Sequence, residues 1–125
     1  MVSLGRPSSL GIESQQRGRP IQSGFHRASR YPFATSVELT DVHSERLVTA
    51  FTSNLSLFGC YVIMGSPFTE GTKVSLRIIR GGTTFAAYGK VVYSKPKYGM
   101  GIAFTEMEPS GQAILEKWIA SLRTK

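Results

Sequence analysis

"KVSLRIIRGGTTFAAYGKVVYS", Lys73 to Ser94, is the stretch whose reading decides the fold. Its first half alternates. Val74, Leu76 and Ile78 fall on one side of an extended chain, Ser75 and Arg77 on the other. Successive side chains of a strand point to opposite faces, so a period of two marks a strand with one buried face and one wet face. Gly81 and Gly82 then interrupt. Two glycines tolerate the backbone conformations that a tight hairpin turn requires. "TTFAAYGKVVYS" is the long returning strand. A hairpin of this length, with no helical period in it, predicts an antiparallel, all-β architecture.

The same signals recur on either side. Upstream, "FATSVELTDV" reads as a strand with Val37 and Leu39 on one face. Asp41 to Glu45 is a turn, and "RLVTAFTS" returns with Leu47, Thr49 and Phe51 sharing a face. "GCYVIM" is a further strand, closed by the breakers of "GSPFTEG". Downstream, "KPK" turns the chain into a closing strand, "YGMGIAF". Gly99 and Gly101 in that strand predict a close backbone approach or a barrel corner. Six short strands with tight turns predict a six-stranded antiparallel β-barrel.

The period changes once more at "EPSGQAILEKWIASLR". Leu115, Trp118, Ile119 and Leu122 fall on one helical stripe, with Ile114 at its border. Pro109 suits a first helical turn, and Glu106 and Glu108 sit near the positive end of the helix dipole. The predicted class is therefore all-β with one C-terminal helix: a barrel over about 31–105 and a helix over about 109–123. Residues 1–24 are rich in Gly, Ser, Gln, Arg and Pro with no apolar period. Such a segment buries too little surface to offset its chain entropy. It reads as a disordered basic N-terminal tail before a domain spanning 25–125.

The totals bound the function. The chain has 125 residues, enough for one domain with a real core. Lys and Arg number 15 against 8 Asp and Glu, a formal net charge of +7. That excess suits an anionic partner without choosing between phosphate, nucleic acid and an acidic surface. With Cys60 as the single cysteine, no intramolecular disulfide forms, which fits a reducing compartment. No window approaches a membrane span and the N-terminus lacks the apolar core of a secretory signal, so the expectation is a soluble, cytoplasmic protein.

Catalytic signatures are missing. His26 and His43 have no partner at metal-ligand spacing, and one cysteine cannot build a thiolate zinc site. The carboxylates are scattered, and there is neither a dinucleotide fingerprint nor a phosphate loop. The expectation is a chain that is not an enzyme and carries no metal or cofactor.

Two local groups remain. "HRASR", His26 to Arg30, holds two arginines just before the first strand. A guanidinium grips phosphate through two parallel hydrogen bonds or stacks on a base; the plainer reading is a solvated basic linker. "NLSLFG", Asn54 to Gly59, sets an amide, a hydroxyl and a missing side chain between two strands. The plainer reading is a turn with glycine at an unusual φ. The sharper one is a ligand: Asn54 reads a base edge, Ser56 donates to a phosphate, and Gly59 makes room. Asn54 and Ser56 share a face if the strand is regular.

At this point the chain resembles the PilZ domains, bacterial receptors for cyclic di-GMP, from about Phe25 to Leu122. The likeness rests on "NLSLFG" with "GCYV" after it, then "SPFTEGTKVSLRI" and "GMGIAF" in that order and spacing. The family carries an Arg-x-x-x-Arg motif before its first strand and an Asp/Asn-x-Ser-x-x-Gly motif at the junction of the second and third. Arg30, Asn54, Ser56 and Gly59 match. The first motif arginine falls on His26, with Arg27 one residue late. The resemblance implies a barrel that binds cyclic di-GMP through these residues and signals to a protein partner in motility, biofilm, adhesion or exopolysaccharide control. Losing one charged, bidentate contact at His26 costs roughly 1.5–3 kcal/mol, or about ten- to a hundredfold in affinity. Two alternatives stand beside it. One is a degenerate domain without ligand that serves as a protein-interaction module. The other is nonspecific nucleic-acid binding by a small basic barrel with exposed aromatics such as Tyr31.

Overall fold

The computed structural model describes residues 29–124. The elements are β1 (Tyr31–Pro32), β2 (Ser36–Asp41), β3 (Leu47–Leu55), β4 (Gly59–Ile63), β5 (Lys73–Arg80), β6 (Thr83–Lys95), β7 (Gly99–Glu106) and α1 (Pro109–Arg123). Every pairing is antiparallel: β3 with β2, β2 with β5, β5 with β6, β6 with β7 and β7 with β4. β4 then pairs with β3 and closes the ring. The result is a closed six-stranded antiparallel barrel with one C-terminal helix, as the alternation and turn spacing predict. β1 is an extra two-residue strand laid along the end of β3, with Tyr31 opposite Leu55 and Pro32 opposite Asn54.

The alternating run of β5 does what its period demands. Val74, Leu76 and Ile78 are fully buried, beside Val37 and Leu39 of β2 and Phe85 and Val91 of β6. The turn at Gly81–Gly82 has φ of 58° and 80°, left-handed values that suit glycine. β3 presents Leu47, Thr49 and Phe51 together, but on the outer face; Ala50 and Thr52 point inward. A bulge between Thr52 and Asn54 in the pairing with β4 then inserts one residue, so both Thr52 and Leu55 reach the core.

The first long strand begins at Ser36, not at Phe33 as its composition predicts. The buried Thr52 hydroxyl explains the difference. It donates to the Phe33 carbonyl and accepts the Thr35 N–H at 3.1 Å, tying down a non-strand segment between β1 and β2. α1 covers one side of the barrel through Leu115 and Ile119, both buried. Its Trp118 ring lies 5.3 Å from Phe33 and 6.2 Å from Phe85, within the range of favourable aromatic pairs. Gly111 lets the helix approach: a Cβ there would sit 3.1 Å from the Ala86 carbonyl oxygen.

Candidate functional site

The site begins where β3 ends. After Leu55 the chain turns through Ser56–Phe58 and re-enters the sheet at Gly59. Ser56 is buried, and its hydroxyl organises the turn. The oxygen accepts the N–H groups of Phe58 and Gly59, each at 3.1 Å. The hydroxyl hydrogen goes to the Gly59 carbonyl at 3.3 Å, a long bond to an oxygen that already accepts the Ser56 N–H at 2.8 Å. Both lone pairs are thus committed to the turn, while the hydrogen is held loosely and is the one part of Ser56 free to swing to a ligand.

Gly59 is needed for space, not for φ. A Cβ there would lie 2.2 Å from the Ile102 carbonyl oxygen of β7, far inside contact distance. The missing side chain that reads as room for a ligand is therefore room for a neighbouring strand. Asn54 and Ser56 do not share a regular strand face, because Asn54 follows the bulge and Ser56 lies past the end of β3. They are neighbours all the same. β1 lies against β3 and brings the preceding residue, Arg30, to the same place. Arg30, Asn54, Ser56 and Gly59 line one shallow groove with Tyr61 and Val92.

The groove has a cavity volume of about 50 Å³, room for a water molecule or two. A nucleotide would lie across it rather than inside it. Arg30 is exposed, and neither its guanidinium nor the half-buried Asn54 amide bonds to any described residue. Both remain available. His26 and Arg27 lie outside the described residues, as does the 1–24 tail.

Neither "HRASR" nor "NLSLFG" includes Tyr61, Val92 or Gly101, all of which border the groove. Their signal lies in cross-strand register: Asn54 stands opposite Tyr61, Tyr61 opposite Gly101, and Gly101 opposite Tyr93. Cys60 is enclosed, and burial pushes its thiol up to about 12. It stays protonated near neutral pH and packs as a small apolar side chain. Among the described residues, no cluster of His, Cys, Asp and Glu is placed to hold a metal, and no helix is long and apolar enough to cross a membrane.

Compared with known protein families, the chain matches the PilZ domain over residues 24–121. Among solved structures it is similar to the PilZ domain of CeSA from a cellulose-synthesizing bacterium, at 21% identity and a TM-score of 0.61, over 76% of this chain and 98% of that one. The PilZ domain of YcgR from Escherichia coli, solved with c-di-GMP, aligns at 13% identity and a TM-score of 0.64, over 78% and 91% of the two chains. The inhibitor of motility MotI/DgrA of Bacillus subtilis aligns at 17% identity and a TM-score of 0.65, over 78% of this chain and 51% of that one. At these identities the likeness to the solved structures is one of fold. No curated protein sequence matches the chain.

Proposed function

The chain belongs to the PilZ family, and on that premise we propose that it is a receptor domain for cyclic di-GMP, a binding module rather than a catalyst. The observation that carries the reading is the groove itself, where Arg30 and Asn54 stand side by side with unused hydrogen-bonding groups. Arg30 meets a phosphate or the Hoogsteen edge of guanine through its planar fork. Asn54, with donor and acceptor on one amide, reads a second base edge. Ser56 gives its loosely held hydroxyl hydrogen to a phosphate while its lone pairs keep the turn. Gly59 lets β7 come close enough to form the floor.

Because the groove is shallow, one wall must come from elsewhere. In this reading it comes from the segment before Arg30, with His26 and Arg27, which folds over the ligand and changes the surface shown to a protein partner. Titration calorimetry with cyclic di-GMP tests the proposal. Saturable heat is expected, with Arg30→Ala and Asn54→Ala each weakening binding by about tenfold or more, and Lys97→Ala changing it little. No heat up to millimolar ligand would overturn it, and equal losses in all three variants would reduce the attraction to general charge.

A second reading, a degenerate domain that has lost the ligand, is favoured by one observation: His26 stands where the family has its first motif arginine. His26→Arg separates the two. A change from no binding to clear binding would identify the natural protein as the degenerate kind.

A further inference from the structure

One edge of β3 is closed at its C-terminal end and open at its start. Register with β2 is unbroken from Leu47 to Phe51. The Asp41 N–H donates to the Arg46 carbonyl at 2.9 Å, and the Thr52 N–H to the Thr35 carbonyl at 2.8 Å. Successive residues of an antiparallel strand send their backbone groups to opposite sides. Val48 and Ala50 therefore bond toward β2, while Leu47, Thr49 and Phe51 turn their N–H and C=O groups the other way. Phe51 meets Ile63 there, the last residue of β4. Leu47 and Thr49 meet no strand on that side among the described residues. The chain after Ile63 has turned off: the Met64 N–H donates to the Tyr98 carbonyl, and the Gly65 carbonyl accepts the Lys97 N–H.

An open strand edge is a template for another strand, and proteins usually blunt it with charge, proline or a bulge. This one is not blunted. "LVTAF", Leu47 to Phe51, holds neither charge nor proline. Leu47 is 64% exposed, Phe51 62%, and Ile63 beside Phe51 53%. Charges at its border are engaged: Arg46 lies over the Phe68 ring, and Glu38, opposite Thr49, pairs with Arg77 at 3.9 Å. In a chain of formal net charge +7, an edge shaped for an acidic peptide would itself be basic. An uncharged edge suits a strand from a chain of the same sign. It also fits itself. With two copies antiparallel about a two-fold axis at Val48, Leu47 of each stands opposite Thr49 of the other, and each such pair exchanges both its N–H···O bonds. Leu47 then lies diagonal to Leu47 and Phe51 of the other copy, within reach for large side chains.

We propose that the open edge of β3 is a dimerisation surface, on which two copies of this chain join by antiparallel pairing of Leu47–Thr49. A specific, stable interface buries about 1,200–2,000 Å² in all. An edge of three residues with Phe51 and Ile63 beside it lies at or below the lower end, so the dimer is reversible and depends on concentration. The groove of Arg30 and Asn54 belongs to the other end of β3, and the dimer does not rest on the receptor reading.

The test is sedimentation equilibrium of the full chain from micromolar to millimolar concentration, with thermal midpoints for every variant. A reversible rise from the 13.7 kDa monomer toward twice that mass is expected. Thr49→Pro removes an N–H that points away from β2, the placement in which an edge strand tolerates proline, and is expected to leave a monomer. Leu47→Lys changes an exposed side chain and brings two like charges together at the axis, with the same result and an unchanged midpoint. Tyr88→Ala, at an exposed tyrosine of β6, is expected to dimerise as the natural chain does. Amide exchange gives a second readout: Leu47 and Thr49 are expected to gain protection as concentration rises. A chain that stays monomeric at millimolar concentration overturns the second copy as occupant and leaves the edge to a strand of another protein. A dimer that survives Leu47→Lys, or that leaves the Leu47 and Thr49 amides unprotected, lies elsewhere on the barrel and overturns the proposal as well. If Thr49→Pro does not fold, Leu47→Lys and the exchange data decide.

Discussion

Two turns of this barrel join neighbouring antiparallel strands and use glycine for opposite reasons. Gly81–Gly82, between β5 and β6, is exposed, and a Cβ at either position would meet nothing within 4 Å. Glycine is there for φ, 58° and 80°. The Ser56–Gly59 turn, between β3 and β4, is buried at both its ends, Ser56 and Gly59, and Gly59 has no positive φ. Glycine is there because a carbonyl of β7 occupies the space. The first turn is a local device that any hairpin could use. The second is locked to a third strand, and its hydrogen bonds converge on one hydroxyl. Only the second borders a groove with free polar groups. A turn held rigid by its surroundings is what a binding site needs from a loop.

The sharpest way to break this comparison is Gly59→Ala. The new methyl group would stand 2.2 Å from the Ile102 oxygen, and that oxygen belongs to the β4–β7 ladder, where Cys60 pairs with Ile102. Neither strand can step aside without losing ladder bonds. Overpacking of a sheet interior costs about 3 kcal/mol at its upper range, and a backbone clash belongs at that end or beyond. Denaturant unfolding is expected to show a loss of about 3 kcal/mol or more, or no folded protein. A loss below 1 kcal/mol would mean that the turn is as local as its exposed counterpart.

Ser56→Ala comes next. It removes the acceptor of the buried Gly59 N–H, and a buried donor left unsatisfied costs about 1–3 kcal/mol. A stability loss of about 2 kcal/mol is expected, with weakened cyclic di-GMP binding as a consequence. Ser56→Thr keeps the hydroxyl and is expected to recover part of both. A variant that loses binding at full stability would instead assign Ser56 wholly to the ligand and leave the turn to its backbone.

These two residues also show how far the site was legible in sequence. The motif spacing singles out Arg30, Asn54, Ser56 and Gly59, and they do gather around one groove. What spacing does not reveal is whom each residue serves. A serine two and three residues before its N–H partners reads equally as a ligand donor or a turn acceptor, and only the long 3.3 Å bond of its hydrogen leaves both open. Gly59 meets Ile102, forty-three positions away in the chain, so no local pattern carries that contact. The fold was clearer. Alternation in Lys73–Arg80 places Val74, Leu76 and Ile78 inside because a regular strand has a fixed period. Where the period breaks, at the Thr52–Asn54 bulge, so does the reading: nothing in "AFTSNL" says that Thr52 and Leu55, three residues apart, both go in. Tyr61, Gly101 and Tyr93 were invisible as a group because register across three strands, not sequence distance, brings them together.

The smallest effect tests the exposed turn. Gly82→Ala puts a Cβ into open space but at φ of 80°, where the cost is steric clash with the residue's own backbone. That cost is about 1–2 kcal/mol for an ordinary residue. Asparagine reaches the left-handed region more easily, so Gly82→Asn is expected to lose only a few tenths of a kcal/mol. The ordering Asn above Ala at Gly82 is the signature of conformation. At Gly59 the same pair of substitutions must rank the other way, since the larger side chain adds atoms to a filled space. Unfolding curves for all four variants decide it. If Asn is also the milder replacement at Gly59, backbone conformation rather than the Ile102 carbonyl explains that glycine, and the two turns differ only in depth.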